Sequence, residues 1–474
     1  MTTAHTATRV ADMAAALRRS RELDSHDGWS VSQLREHQES RLTDLVRHAV
    51  ANSALYRELY SGIDVRGAVQ LERLPSIDKT LLMERFDDVA IDPRLRLAEL
   101  EAHLDQLTSD ELYLGEYRVV STGGSTGRKG IFVADRAEWR EYLAGLLRVN
   151  AYMGLWPRLP RRRRVATVAA SRALHVTYRM SRSLDIGLHR VLRLDASTPV
   201  EQLVEPLNRH RPEFLYSYPS VLSLLAVEQL EGRLEIAPTT IVSSGETHSA
   251  DLVSTVRAAW DVPWFQIYGT TEVPTLGAHC SHHSGLHLFE DTAIVEVVDE
   301  NDQPVPPGQT GHRMLVTNLV NRTQPLIRYA ISDMVAVSPQ PCPCGRPFRY
   351  LEAVEGRNDD ILHLPAVDGG EVAVHPLALR SPMAAVAGLK QYRMFYDHHG
   401  LSVRVALRAG VAADVTEATI ARGLRETLAS LGATPLNVDV TVVERIDGGR
   451  DSAGKFKVIE SSTGLSTPIQ KTTR

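Results

Sequence analysis

The sequence is poor in cysteine, with only Cys280, Cys342 and Cys344 among 474 residues. Three thiols cannot all pair within one chain, so a disulfide-stapled fold is excluded. Their crowding into one third of the chain points to metal rather than disulfide chemistry in a reducing compartment. Long apolar runs are also missing. No stretch approaches the ~18 residues a membrane helix needs, and MTTAHTATRVADMAAALRRS lacks the unbroken apolar core of a signal peptide, so a cytoplasmic protein without a membrane partner is expected. Charge of one sign is absent as well. Lys plus Arg is 53 against 58 for Asp plus Glu, and a net charge of −5 gives no general field for nucleic acid or anionic lipid. Any anion binding must be local. There is no internal repeat or low-complexity tract, and the run RRRR at 161–164 reads as a solvated loop.

What remains is an ordinary globular composition, 43% hydrophobic and 23% charged. At about 100–200 residues per domain, the length suggests two to four folding units. Residues 31–93 have helical apolar spacing, interrupted at Pro75. From about 113, strand-like runs (YRVVS, IFVAD, RVATVAA, EFLYSY, TTIVSS, WFQIYG) alternate with helical stretches, which implies parallel sheet with helices on its faces. After about 286 the texture turns strand-rich and predicts a small antiparallel or barrel-like lobe. Beyond GRNDD a strand, strand, helix, strand order predicts a small α+β unit. The expected architecture is therefore α/β, with a large multi-lobed domain at 1–358 and a small α+β domain at 359–474.

The segment STGGSTGRKG at 121–130 follows a predicted strand. Its Gly, Ser and Thr residues leave backbone N–H and hydroxyl donors free to converge on a polyanion. It is not a Walker loop, because Gly127 precedes Arg128 and Lys129 precedes Gly130. Gly123-Gly124-Ser125-Thr126-Gly127 also fits the G-x-S-x-G elbow of serine hydrolases, with Ser125 as nucleophile, but that elbow needs a helix directly after the serine and here IFVAD follows. A flexible surface loop would have the same composition.

TGGSTGRK at 122–129, YGTTE at 268–272, RYAISD at 328–333, GRNDD at 356–360 and SAGKFK at 452–457 occur in the order and approximate spacing of the acyl-adenylate-forming superfamily. The helical start with NSALYRELY and LPSIDKTLL, and the PCPCGRPF stretch before GRNDD, resemble its phenylacetate–CoA ligase branch and the deazaflavin-cofactor adenylyltransferase and capsule-biosynthesis relatives. The resemblance covers roughly residues 31–458. It implies that a carboxylate attacks the α-phosphorus of ATP to give acyl-AMP and pyrophosphate, a problem mainly of positioning and charge neutralisation. The acyl group would then pass to coenzyme A.

By that resemblance Thr122, Ser125, Thr126 and Gly127 hold the phosphates, with Arg128 or Lys129 adding charge where the family usually has Lys-Pro. Tyr268, with Gly269 and Thr270 beside it, flanks adenine; Thr271 reaches the α-phosphate; Glu272 helps hold Mg²⁺, a hard cation preferring oxygen. Ser244, Gly245 and Glu246 of SSGE match the adenine-contact strand. Asp333 accepts from the ribose hydroxyls and Arg357 faces the ribose or phosphate. Lys455 is the mobile lysine that meets the developing charge, and Asp359 is the hinge on which the small domain turns between half-reactions. Tyr216, Tyr218 and Pro219 are plausible walls of the acid pocket.

The three cysteines and one histidine form a candidate structural zinc site. Similar positions in the branch favour His287, whereas His283 has the more compact spacing from Cys280. The expected partners are a small carboxylic acid, an aryl acid by resemblance, and coenzyme A, in a monomer or homodimer. Alternatives are transfer to an amine, a hydroxyl or a carrier protein, adenylylation of a phenol-like cofactor, or a catalytically silent nucleotide-sensing relative.

Overall fold

The computed structural model describes residues 3–461 except 123–128, 154–160, 249, 283–284, 358–359, 375–377, 380–381, 384–385, 387, 408–409 and 447–457. Its described residues form two compact units that divide between Glu355 and Gly356.

The first unit begins with helices α1 (Thr3–Ser25), α2 (Val31–Asn52), α3 (Ala54–Leu59), α4 (Lys79–Glu84), α5 (Phe86–Val89) and α6 (Leu97–Gln106). Helix α1 was not anticipated from the sequence. Ser30 starts α2 with a reciprocal capping box to Gln33, which satisfies two backbone donors that would otherwise be orphaned. Two antiparallel strands follow, β1 (Arg118–Ser121) and β2 (Ile131–Ala134). Next comes α7 (Arg136–Tyr152), capped by Asp135, whose carboxylate accepts from the Glu138 amide at 2.8 Å. Helix α1 lies along α7, where Asp12 meets Arg136 and Arg140 at 2.9 and 2.8 Å and Arg19 meets Glu141 at 2.8 Å.

The alternating region forms β3 (Arg164–Ala169), α8 (Val176–Leu184), β4 (Arg190–Asp195), α9 (Val200–His210), β5 (Phe214–Ser217), α10 (Pro219–Leu230), β6 (Thr240–Ser244), α11 (Ala250–Ala259) and β7 (Trp264–Tyr268). Strands β3 to β7 pair in parallel. The sheet continues antiparallel through β8 (Gly277–His279), β9 (Leu286–Leu288), β14 (Tyr350–Arg357) and β13 (Asp333–Val337), giving nine strands in the order β13-β14-β9-β8-β7-β6-β5-β3-β4. Strands β10 (Ala293–Val298), β11 (Arg313–Asn318) and β12 (Tyr329–Ile331) make a separate antiparallel sheet. The expected parallel region and strand-rich lobe are both present, but the lobe shares strands with the large sheet and forms no barrel of its own among the described residues.

The second unit contains the hairpin β15 (Leu362–Pro365) and β16 (Glu371–Val374), then β17 (Leu389–Asp397), β18 (Gly400–Leu407), α12 (Ala413–Ser430), β19 (Val438–Val442) and β20 (Ile459–Ser461). Its four-stranded sheet has the order β19-β18-β17-β20. Met394, Leu401, Val403 and Val405 alternate into a core with Ile420, Leu424 and Leu428 of α12.

Candidate active site

Two antiparallel strands flank the glycine-rich segment. β1 and β2 pair with Ser121 opposite Ile131. Beyond them Thr122 donates its amide to Gly130 O at 2.9 Å, and its hydroxyl oxygen accepts from the Gly130 amide at 2.8 Å. Lys129 is exposed, while Ser125, Thr126, Gly127 and Arg128 lie outside the described residues. A strand-to-strand turn is not a nucleophile elbow, which runs from strand into helix. The serine hydrolase alternative using Ser125 is therefore corrected.

YGTTE leaves the end of β7 at a close backbone approach. A Cβ on Gly269 would stand 2.2 Å from Pro274 O, so only glycine fits there. Thr270 Oγ1 accepts from the Val273 amide at 3.0 Å and tightens the turn. The Tyr268 hydroxyl donates to Asp333 Oδ2 at 2.8 Å, with both residues buried, which joins the second and third motifs. The Tyr329 hydroxyl donates to Glu272 Oε1 at 3.3 Å, and Asn318 Nδ2 donates to Glu272 O at 3.0 Å. Thr271 and Glu272 border a narrow crevice of about 10 Å³ whose other walls include Arg118, Phe132, Trp139 and Tyr142.

At the ends of β5 and β6, the Tyr216 and Ser244 hydroxyls are hydrogen-bonded to each other. Gly245 takes φ +80°, a conformation suited to glycine. The Glu246 carboxylate accepts from the Ser220 amide at 2.8 Å and the Ser220 hydroxyl at 3.1 Å. It thereby satisfies the first turn of α10, a structural duty that the sequence did not reveal. Tyr218 is 1% exposed and its hydroxyl accepts from the Ala170 amide at 3.1 Å, while Pro219 is the buried first residue of α10. Both are buried, and Tyr216 is hydrogen-bonded to Ser244.

Several site residues escaped the sequence reading because nothing in their local pattern marks them. Asn318, Asn321, Gln324 and Glu138 form a buried polar clasp. Glu138 Oε1 accepts from the Arg322 and Thr323 amides at 2.7 and 2.8 Å, Asn321 Nδ2 donates to Val133 O at 2.8 Å, and Gln324 Oε1 accepts from the Val133 amide at 2.9 Å. The clasp ties β2, which carries the glycine-rich loop, to the β11–β12 turn. Trp264 Nε1 donates to Ser243 Oγ at 2.9 Å, and the Ser243 hydroxyl lies 2.9 Å from His248 Nε2. Burial pushes His248 down to about 4. The ring is neutral at pH 7, so its Nε2 can accept.

The side chains of Cys280, His287, Cys342 and Cys344 gather with all four donor atoms within 4.8 Å of one another. The Cys280 and Cys342 sulfurs are 3.8 Å apart, and Cys344 Sγ is 3.3 Å from His287 Nε2. His287 Nδ1 stands 3.2 Å from Phe348 O, an arrangement that leaves Nε2 as the ligand atom. His283 lies outside the described residues, as do Asp359 and Lys455. Arg357 is exposed near the end of β14.

An AMP-binding enzyme family profile matches residues 91–317. The chain is 25% identical over 374 residues to a phenylacetate-coenzyme A ligase of Thermus thermophilus, covering 74% of this chain and 76% of that one. It is 20% identical over 344 residues to Protein CapK of Staphylococcus aureus, covering 69% and 68%. Among solved structures, 2-hydroxyisobutyryl-CoA ligase in the postadenylation state in complex with R3-HIB-AMP matches with a TM-score of 0.71 at 20% identity, over 92% of this chain and 91% of the other. That likeness is one of fold.

Proposed function

From the premise that the chain belongs to the acyl-adenylate-forming superfamily, on its phenylacetate–CoA ligase-like branch, we propose that it activates a carboxylic acid as acyl-AMP and transfers the acyl group to coenzyme A. The observation that carries this reading is the Tyr268–Asp333 hydrogen bond together with Tyr329–Glu272. These contacts join segments about sixty residues apart into one polar floor. A surface-loop origin for the motifs gives no reason for such convergence.

In this reading the Thr122–Gly130 hairpin turn cradles the phosphates, and Asp333, whose Oδ2 accepts from Tyr268, faces the ribose hydroxyls. The hydroxyl of Thr271 faces the α-phosphate. Glu272 fits Mg²⁺, since it is a carboxylate held at a half-buried position in the crevice lined by Phe132 and Val133 of β2; when bound, the cation neutralises phosphate charge. Lys455, near the end of the sequence, supplies charge to the acyl and α-phosphate oxygens, and Asp359 is the hinge between half-reactions. The acid is an aryl acid, as the phenylacetate-coenzyme A ligase relatives suggest. Incubating the protein with ATP, Mg²⁺ and a panel of aryl acids against coenzyme A, an amine and a carrier protein tests the acceptor. Thioester formed only with coenzyme A is expected, and amide or carrier-bound product with no thioester contradicts it.

The Cys280, Cys342, Cys344 and His287 set fits structural zinc. A tetrahedron with Zn–S bonds of about 2.3 Å has sulfur–sulfur edges near 3.8 Å, which is the Cys280–Cys342 separation. Four protein ligands leave no open position, so the role is to pin the 342–348 loop and not to act in the chemistry. The pinned loop carries Arg346, whose Nε donates to Asp27 Oδ2 at 2.7 Å behind α1. Elemental analysis of metal-replete protein is expected to find about one zinc per chain, and Cys342→Ser is expected to remove it. Zinc-free wild-type protein contradicts the assignment.

A further inference from the structure

Glu272 is gripped at two points by residues outside the motif that contains it. Its carbonyl oxygen accepts from Asn318 Nδ2 at 3.0 Å, and its Oε1 accepts from the Tyr329 hydroxyl at 3.3 Å. Asn318 is fully buried and cannot swing away. Its Nδ2 also donates to the Tyr142 hydroxyl at 2.9 Å, and its Oδ1 accepts from the Val320 and Asn321 amides at 3.0 and 3.2 Å. Tyr329 is 2% exposed, with its ring edge against Phe132 of the phosphate-loop hairpin at 6.1 Å between centroids.

The backbone before Tyr329 is held as firmly. Arg328 has φ +49°, a left-handed conformation unusual for a non-glycine residue. The surroundings impose it: the guanidinium makes a two-pronged pair with Glu296 at 3.0 Å on each arm and donates to Leu74 O at 2.6 Å. Such strain persists only where the neighbours over-determine it. Tyr329 follows directly, and its hydroxyl lies 3.3 Å from Glu272 Oε1.

Resting on the reading of Glu272 as the Mg²⁺ carboxylate, we propose that Tyr329 is a positioning residue for that carboxylate, with Asn318 fixing the peptide from which it projects. The hydroxyl occupies Oε1 and leaves Oε2 as the cation's ligand. A free glutamate side chain loses rotamer freedom when it binds an ion. Here the Tyr329 hydroxyl already restricts the carboxylate, and Asn318 holds the peptide it projects from, so the ion meets a carboxylate in place. Partners of this kind, one shell outside a metal, change metal affinity by roughly 10–100-fold when deleted.

The test compares the full-length wild type, Tyr329→Phe, Glu272→Gln and the double variant. The Mg²⁺ half-saturation of ATP–pyrophosphate exchange is measured, together with direct binding of Mn²⁺ to the ATP complex by electron paramagnetic resonance. Tyr329→Phe keeps the ring against Phe132 and removes only the hydroxyl. It is expected to raise both metal constants roughly tenfold, to recover most of the rate at saturating Mg²⁺, and to leave metal-free ATP affinity and the thermal midpoint unchanged. On the Glu272→Gln background the same change is expected to do little more. If Glu272→Gln shifts the metal constants and Tyr329→Phe does not, the positioning role is overturned while the carboxylate's role stands. If Glu272→Gln shifts neither, the reading of Glu272 falls first. A rate loss in Tyr329→Phe that high Mg²⁺ does not restore, or a lowered thermal midpoint, marks the tyrosine as structural and also overturns the proposal.

Discussion

Lys455→Ala is expected to cut acid-dependent pyrophosphate release by on the order of 10²–10³-fold, the usual cost of deleting a group that stabilises charge developing only in the transition state. ATP affinity should hardly change. In the proposed reading the adenine, ribose and phosphates belong to Tyr268, Asp333, Thr122 and their neighbours, and Lys455 would approach only as carboxylate and α-phosphate oxygens share charge. A uniform-binding role would raise the KM for ATP and spare kcat. Titration of ATP binding alongside single-turnover adenylation separates the two outcomes. An unchanged adenylation rate would assign the role to another residue, with Lys457 the first to examine.

Asp291→Asn is expected to destabilise the first unit by about 3–5 kcal/mol, with a thermal midpoint lower by on the order of 10 °C. Arg148 on α7 is completely buried and donates through both Nη atoms to Asp291, at 3.0 and 2.9 Å, while Phe289 lies 4.2 Å from its guanidinium carbon. His26, at the end of α1 and stacked 3.6 Å from Trp29, adds its Nδ1 to Asp291 Oδ2 at 2.8 Å. Neutralising the aspartate leaves a guanidinium sealed from water without its counter-charge. That is far worse than lacking the pair altogether. Burial by itself would raise the Asp291 carboxyl, but the Arg148 charge and the His26 hydrogen bond outweigh it and hold the group down at about 2. A depressed carboxyl stabilises the fold above its unfolded value near 3.9, and that contribution disappears as pH falls toward 2. Thermal melts between pH 6 and 2.5 should therefore show the wild type losing its advantage over Asp291→Asn on acidification. A constant gap would contradict the linkage.

The sequence made the active-site motifs legible because each carries a local chemical signature. TGGSTGRK, YGTTE and RYAISD are short runs of chemically specific residues, and Cys280, Cys342 and Cys344 stand out by being rare. The alternating strands of the parallel sheet were legible too, since buried runs such as TTIVSS sit between helical stretches. What stayed hidden depends on partners far away in the chain. Nothing in SSGE shows that the Glu246 carboxylate accepts from the Ser220 amide. Nor does YSYPS show that the Tyr218 hydroxyl accepts from the Ala170 amide. Helix α1 has no clean apolar stripe in sequence, because Asp12 and Arg19 attach it to α7 through charge. Asn318 and Tyr329 bear on Glu272 from 46 and 57 residues away, a relation no window along the chain contains.

The central claim is that these segments bind one nucleotide triphosphate and expose its α-phosphorus to a carboxyl oxygen. Exchange of labelled pyrophosphate into ATP, measured with Mg²⁺ across a library of aryl and alkyl acids and without any acyl acceptor, tests it most directly. Exchange that depends on a subset of the acids is predicted. Its absence with every acid, from folded protein that still binds ATP, would contradict the account.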